Sequence, residues 1–211
     1  MEIQFYGANC IAVTYKQTRV VVDDNLKTLG AKSIIKSSDI GLYTSYLTEG
    51  DLSNSTARVI LKTPGEFEVG KVSIYGIEAR AHTDEANEKT ATIYKIIAGG
   101  INLIVLGHVY PEFTDKQLER MGMVDVLVVP VGGHGYTLDP QGALKAIKQI
   151  EPKLIIPSSY EDNSLKYPVP QENLEDALKA MNMQAKETVQ KLKLKAGELS
   201  DIRELVILEK S

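Results

Sequence analysis

The chain has 211 residues, of which 43% are hydrophobic and 25% charged, with 24 basic residues against 28 acidic ones. At that length folding buries roughly 70% of the unfolded surface, so one core needs no covalent staples and a single domain over residues 1–211 is expected. The lone cysteine, Cys10, excludes an internal disulfide framework and suits a reducing cytoplasm. No apolar run reaches the ~20 residues of a membrane span, the first residues carry no secretory pattern, and a net charge of −4 favours neither nucleic acid nor anionic lipid.

The first half reads as strands. Residues 2–6 alternate, with Ile3 and Phe5 on one face, and Cys10–Tyr15 and Arg19–Val22 flank the turn Lys16-Gln17-Thr18. The second of these strands ends in Asp23-Asp24. A similar block follows: Val72–Gly76, then Thr92–Ile97 and Ile101–Leu106 around Ala98-Gly99-Gly100, ending in Gly107-His108. Two related β-rich halves are the expectation.

The second half alternates helix and strand. Thr114 caps a helix over 115–121, and Asp125–Val131 is a continuous apolar run, as in a strand covered on both faces. Asp139 and Pro140 open a helix to Ile150, whose Ala143, Leu144, Ile147 and Ile150 recur at helical spacing. Lys153–Ile156 is a buried strand ended by Pro157, Gln171–Met181 an amphipathic helix, and Glu204–Leu208 a last strand. The lysines of Lys191-Leu192-Lys193-Leu194-Lys195 share one face, as on a solvated edge strand.

The most informative stretch is 118–160. It contains Asp125-Val126-Leu127-Val128-Val129-Pro130-Val131-Gly132-Gly133, then Tyr136-Thr137-Leu138-Asp139, the helix, and Pro152 through Ile156-Pro157-Ser158-Ser159-Tyr160. With Thr63-Pro64-Gly65-Glu66-Phe67-Glu68-Val69, and with Asp23-Asp24 closing a strand, this resembles the metallo-β-lactamase superfamily in its L-ascorbate-6-phosphate lactonase-like, zinc-dependent hydrolase branch. The resemblance implies an α/β fold, the four-layer αββα sandwich, with the active site at the edge between the sheets.

The family's metal-binding positions are altered. Its T-H-x-H-x-D-H motif corresponds to Thr44 through Gly50, so Ser45, Leu47 and Gly50 stand at histidine positions and Glu49 at the aspartate. His108 stands at the bridging-aspartate position and Ser159 at the final histidine. Zinc needs three or four N, S or O donors, and leucine and glycine side chains offer none. The implied hydrolase chemistry, in which a metal acidifies water, therefore loses its support.

Only three histidines exist: His82, His108 and His134. With Asp84, Glu49 or Asp51 as an oxygen donor they form the alternative, a rearranged zinc site; a relic polar pocket is the preferred reading. Ser158-Ser159 lacks a G-x-S-x-G elbow, the glycine pairs match no phosphate loop, and Cys10 reads as a packed hydrophobe. The expectation is thus a non-catalytic binding or scaffolding pseudo-hydrolase with no cofactor, taking a small-molecule or protein ligand, with homo-oligomerisation, and with no nucleic-acid or membrane partner. A metal-dependent hydrolase of a phosphorylated or cyclic-ester substrate is the competing reading.

Overall fold

The computed structural model describes residues 1–49, 52 and 55–211, with the backbone alone at 47 and 49. Strands β1 (Glu2–Gly7), β2 (Cys10–Tyr15) and β3 (Thr18–Val22) form an antiparallel meander, joined by parallel pairing to β4 (Ile40–Leu42) and then β5 (Val59–Leu61). Helix α1 (Tyr46–Glu49) lies between the last two. The second sheet begins as antiparallel β6 (Gly65–Val69), β7 (Val72–Ala79), β8 (Ala91–Ala98) and β9 (Ile101–Val105). After α2 (Asp115–Met121) it continues in parallel as β10 (Val126–Pro130), followed by α3 (Pro140–Ile150), β11 (Leu154–Ser158) and α4 (Leu174–Ala180). The chain closes with β12 (Glu187–Val189), β13 (Leu192–Lys193) and β14 (Glu204–Leu208).

Among the described residues the first sheet is ordered β13-β1-β2-β3-β4-β5 and the second β12-β14-β11-β10-β9-β8-β7-β6. The echo between the halves is structural: each sheet carries an antiparallel meander and then parallel strands. The lysine-rich β13 does form a sheet edge.

Alternation assigns the faces. Ile3, Phe5, Ile11, Val13, Val20 and Val22 point between the sheets, against Leu103, Val105, Val126, Val128, Leu154 and Ile156. The opposite residues of the second sheet, Ile104, Leu127, Val129 and Ile155, meet Ala143, Ala146, Ile147 and Ile150 of α3 and Ala177 of α4. These strands are buried on both faces, which is why they read as unbroken apolar runs. The outer face of the first sheet, Cys10, Ala12 and Val21, is covered by Leu26, Leu29 and Leu165 from turns. This is the four-layer α/β sandwich, with turns forming much of one outer layer.

Local signals set the helix starts. Thr114 and Gln117 make a reciprocal capping box on α2, and the Asp139 side chain accepts from the Gly142 N–H on α3. Among the boundaries that differ from the sequence expectation, two have a plain local cause. Strand β11 runs through Pro157, whose missing N–H lies beyond the positions paired with β14. Helix α4 starts at Leu174 because Asn173 caps it, accepting from the Asp176 N–H. The short strands β5 and β12 carry too little periodicity to be read from sequence. No helix among the described residues is long and apolar enough to cross a membrane.

Candidate functional site

The parallel strands of both sheets deliver their C-terminal ends to one edge, where apolar runs give way to polar residues. Asp23 follows β3 with φ at +50°, fully buried. Its carboxylate accepts four hydrogen bonds: from the Thr44 N–H at 2.7 Å, the Thr44 hydroxyl at 2.6 Å, the Thr48 hydroxyl at 2.7 Å and Asn9 Nδ2 at 2.7 Å. Asn9 also donates to the Leu106 carbonyl at 3.0 Å, while its Oδ1 accepts from the Ser158 hydroxyl at 2.6 Å. One network therefore ties the ends of β3 and β4 to those of β9 and β11. Burial raises the Asp23 pKa, and the bonds from Thr44, Asn9 and Thr48 offset part of that rise.

Close backbone packing accompanies it. Gly107 lies so near Thr44 that a Cβ there would sit 1.9 Å from its hydroxyl oxygen, and a Cβ on Gly132 would sit 1.9 Å from the Ser159 carbonyl oxygen. Glycine is required at both positions.

His108 is 2% exposed. Its Nδ1 bonds the Tyr136 carbonyl oxygen, which can only accept, so Nδ1 carries the proton and Nε2 keeps its lone pair. Burial pushes its pKa down to about 4 against the opposing pull of the Tyr136 carbonyl, with His82 adding to the drop. The His82 ring stacks on it at 5.8 Å and the Tyr136 ring meets it edge-on at 4.6 Å. His82 Nε2 lies 2.6 Å from the Gly135 carbonyl oxygen, and so donates there, while its Nδ1 faces the His108 carbonyl at 3.4 Å. Tyr136 has its pKa raised by burial and by the nearby Asp23 charge, with the Asn25 side chain lowering it. Asn25 Oδ1 is buried without a partner.

The remaining sequence candidates fall out as follows. Asp84 does not face the histidines. Its oxygens accept from the Ala81 N–H at 2.7 Å and from the Thr90 N–H and hydroxyl at 2.8 and 2.6 Å, stapling its own loop. Burial works to raise its pKa, yet those bonds and the Arg80 charge leave it below the ordinary carboxylate range. His134 is exposed on the loop whose Gly135 carbonyl meets His82, and its ring joins no cluster. Ser45 is buried at the start of α1, its N–H 3.3 Å from the Thr48 hydroxyl. Ser159 is buried with φ at +52° and donates its N–H to the Ala8 carbonyl at 2.7 Å. Gly50 and Asp51, and the side chains of Leu47 and Glu49, lie outside the described residues.

The described residues at this edge do not fit a metal centre. The four donors around Asp23 fill the roughly four lone-pair sites a carboxylate has. His82 has committed its Nε2 proton to a carbonyl, and His134 points elsewhere. Among the described residues no group of three or more His, Cys, Asp or Glu could hold a metal ion. The three-histidine site is thus corrected: the fold brings His82 and His108 together, without His134 or Asp84. The residues that sequence reasoning missed are Asn9, Thr44, Thr48, Ser158 and Tyr136; their common signal is a polar side chain at or just beyond the end of an apolar strand, or in the loop that follows one.

Comparison with known proteins places this edge in a lineage. A family profile described as a beta-lactamase superfamily domain matches residues 2–159. A Thermococcus onnurineus protein named UPF0173 metal-dependent hydrolase is 30% identical over 138 residues, covering 64% of this chain and 58% of that protein, so the match spans less than two thirds of the relative's length. A Thermotoga maritima protein of the metallo-β-lactamase superfamily superposes with a TM-score of 0.76 at 24% identity over 99% of each chain. Igni18, a metallo hydrolase of Ignicoccus hospitalis, does so at 0.61 and 15% identity, over 86% of this chain and 90% of its own. At those identities the two structures speak for the fold alone. The expectation of no cofactor is overturned by these comparisons: relatives are named metal-dependent hydrolases, which points to a metal cofactor. The profile match over most of the chain and the shared two-sheet sandwich establish that this protein belongs to the metallo-β-lactamase superfamily, a family of metal-dependent hydrolases.

Proposed function

We propose that this chain uses the family scaffold to bind a polar ligand at the sheet edge without hydrolysing it. The observation that carries the reading is the saturation of Asp23, whose carboxylate spends its accepting capacity on Thr44, Thr48 and Asn9. A general base or metal ligand needs an uncommitted lone pair. His108 Nε2 offers one, but an imidazole with a pKa of about 4 is a weak base at neutral pH. Asn25 Oδ1, buried and unpartnered near the Tyr136 hydroxyl, supports a ligand that brings a hydrogen-bond donor.

The test supplies the metal that the relatives' names call for. The protein is loaded in turn with Zn2+, Mn2+ and Fe2+, its metal content is measured, and each form is assayed on p-nitrophenyl phosphate, bis-p-nitrophenyl phosphate, a γ-lactone and nitrocefin. Rates at the level of the metal ion alone are expected, together with thermal stabilisation by members of a metabolite panel. Turnover that disappears in folded His108→Gln protein would overturn the reading. Turnover lost also in His82→Gln and His134→Gln would instead establish the rearranged three-histidine hydrolase.

A further inference from the structure

We propose that the cleft between the 77–89 segment and α2 is a second binding site, for a small organic anion with an apolar body. The cleft has a volume of about 470 Å³, within the range of small-molecule sites. Neither His82 nor His108 lines it. Ile77, Ala86 and Phe113 give it an apolar lining, and charged side chains rim it.

The rim is prepared for negative charge. Its carboxylates are already engaged: Glu78 pairs with Lys89, Glu112 with Lys145 at 2.6 Å, and Glu88 accepts from the Glu85 N–H at 3.0 Å. Its cations are less so. Lys116 has no ion-pair or hydrogen-bond partner among the described residues, and Arg120 makes one loose approach to Glu66 at 3.8 Å. Arg80 is held in place by a carbonyl and an aromatic ring and makes no salt bridge among the described residues, although its charge is felt by Asp84 and Glu112. Its Nε and Nη2 donate to the Asp84 carbonyl at 3.1 and 2.9 Å, and its guanidinium lies 4.1 Å from the centre of the Tyr110 ring. Nη1 makes no hydrogen bond among the described residues. A planar donor whose ordering cost was met on folding is well suited to a carboxylate or phosphoryl oxygen. The apolar lining asks for more than a bare ion, since inorganic phosphate would leave Phe113 and Ala86 uncovered.

Isothermal titration of the full chain at low salt tests this with phenyl phosphate, benzoate, inorganic phosphate and benzyl alcohol. At least one aromatic anion should bind roughly tenfold more tightly than both inorganic phosphate and benzyl alcohol, and Lys116→Glu and Arg120→Glu should each weaken it by about tenfold. Both residues are exposed on α2, so the variants keep the fold, and Lys179→Glu, exposed on α4 and outside the cleft, should leave the affinity unchanged. Binding of phenyl phosphate alone or benzoate alone assigns the anion as phosphoryl ester or carboxylate. Binding indifferent to Lys116→Glu and Arg120→Glu, inorganic phosphate as tight as phenyl phosphate, or no binding of either aromatic anion at millimolar concentration overturns the proposal.

Discussion

His108 should make the protein acid-sensitive in a defined window. Its ordinary pKa is 6.5, and burial lowers it to about 4 in the folded state. The unfolded chain therefore takes up a proton as pH falls through 6.5, while the folded chain resists until about 4. The stabilisation is complete above pH 6.5 and drains away as pH falls toward the folded value. Between pH 7.5 and 4.5 these two values correspond to about 2–3 kcal/mol. For a chain of this size that is about 5–10 °C in melting temperature. Other groups titrate with differing signs: Asp84 and Asp162, held below the ordinary carboxylate value of 3.8, lose stabilisation only in stronger acid, whereas raised Asp23 gains it as pH falls. The assay is therefore a difference: urea unfolding of the wild type and of His108→Asn at pH 7.5, 6.0 and 4.5. The wild type should lose about 2–3 kcal/mol more than the variant over that span. Parallel losses, within about 0.5 kcal/mol, would refute the claim that this imidazole is held neutral by burial.

Three substitutions probe the surrounding framework by chemical denaturation. Gly107→Ala forces a Cβ to within 1.9 Å of the Thr44 hydroxyl and should cost about 3 kcal/mol or more; a loss below about 1 kcal/mol would mean the backbone moves aside freely. Asp23→Ala strands four hydrogen-bond donors and should cost at least about 4 kcal/mol or prevent soluble expression, with Asp23→Asn milder because it removes a buried charge while keeping one acceptor. Arg19→Met leaves the Asp39 carboxylate, 1% exposed and paired at 2.5 Å, without its cation, for a loss of about 3–5 kcal/mol; Asp39→Asn in that background should recover part of it.

The resemblance to the superfamily was legible because its carriers are local. The doubly buried strand Val126–Pro130, the Asp139–Pro140 helix start and the Thr114 cap are each written within a dozen residues, where burial on two faces and capping chemistry leave a direct trace. The same holds for the antiparallel meanders, whose turns are short. Strands of three residues such as β5 and β12 left no such trace, because they exist only through pairing with a neighbour already in place.

The candidate site was legible in a different degree. Sequence alone determined which donors are scarce: three histidines in the whole chain, with serine, leucine and glycine where the family motif asks for imidazole. It could not tell which of the remaining polar groups still have lone pairs to give. That was decided by tertiary structure, because residues 9, 23, 44 and 158 meet only when the two sheets close on one another. Only then does a conspicuous aspartate spend its oxygens on Thr44, Thr48 and Asn9, does His82 give its proton to Gly135, and does His134 stay in solvent. Hydrogen-bond saturation is a property of a packed neighbourhood, and a neighbourhood assembled from four distant segments has no signature in any one of them.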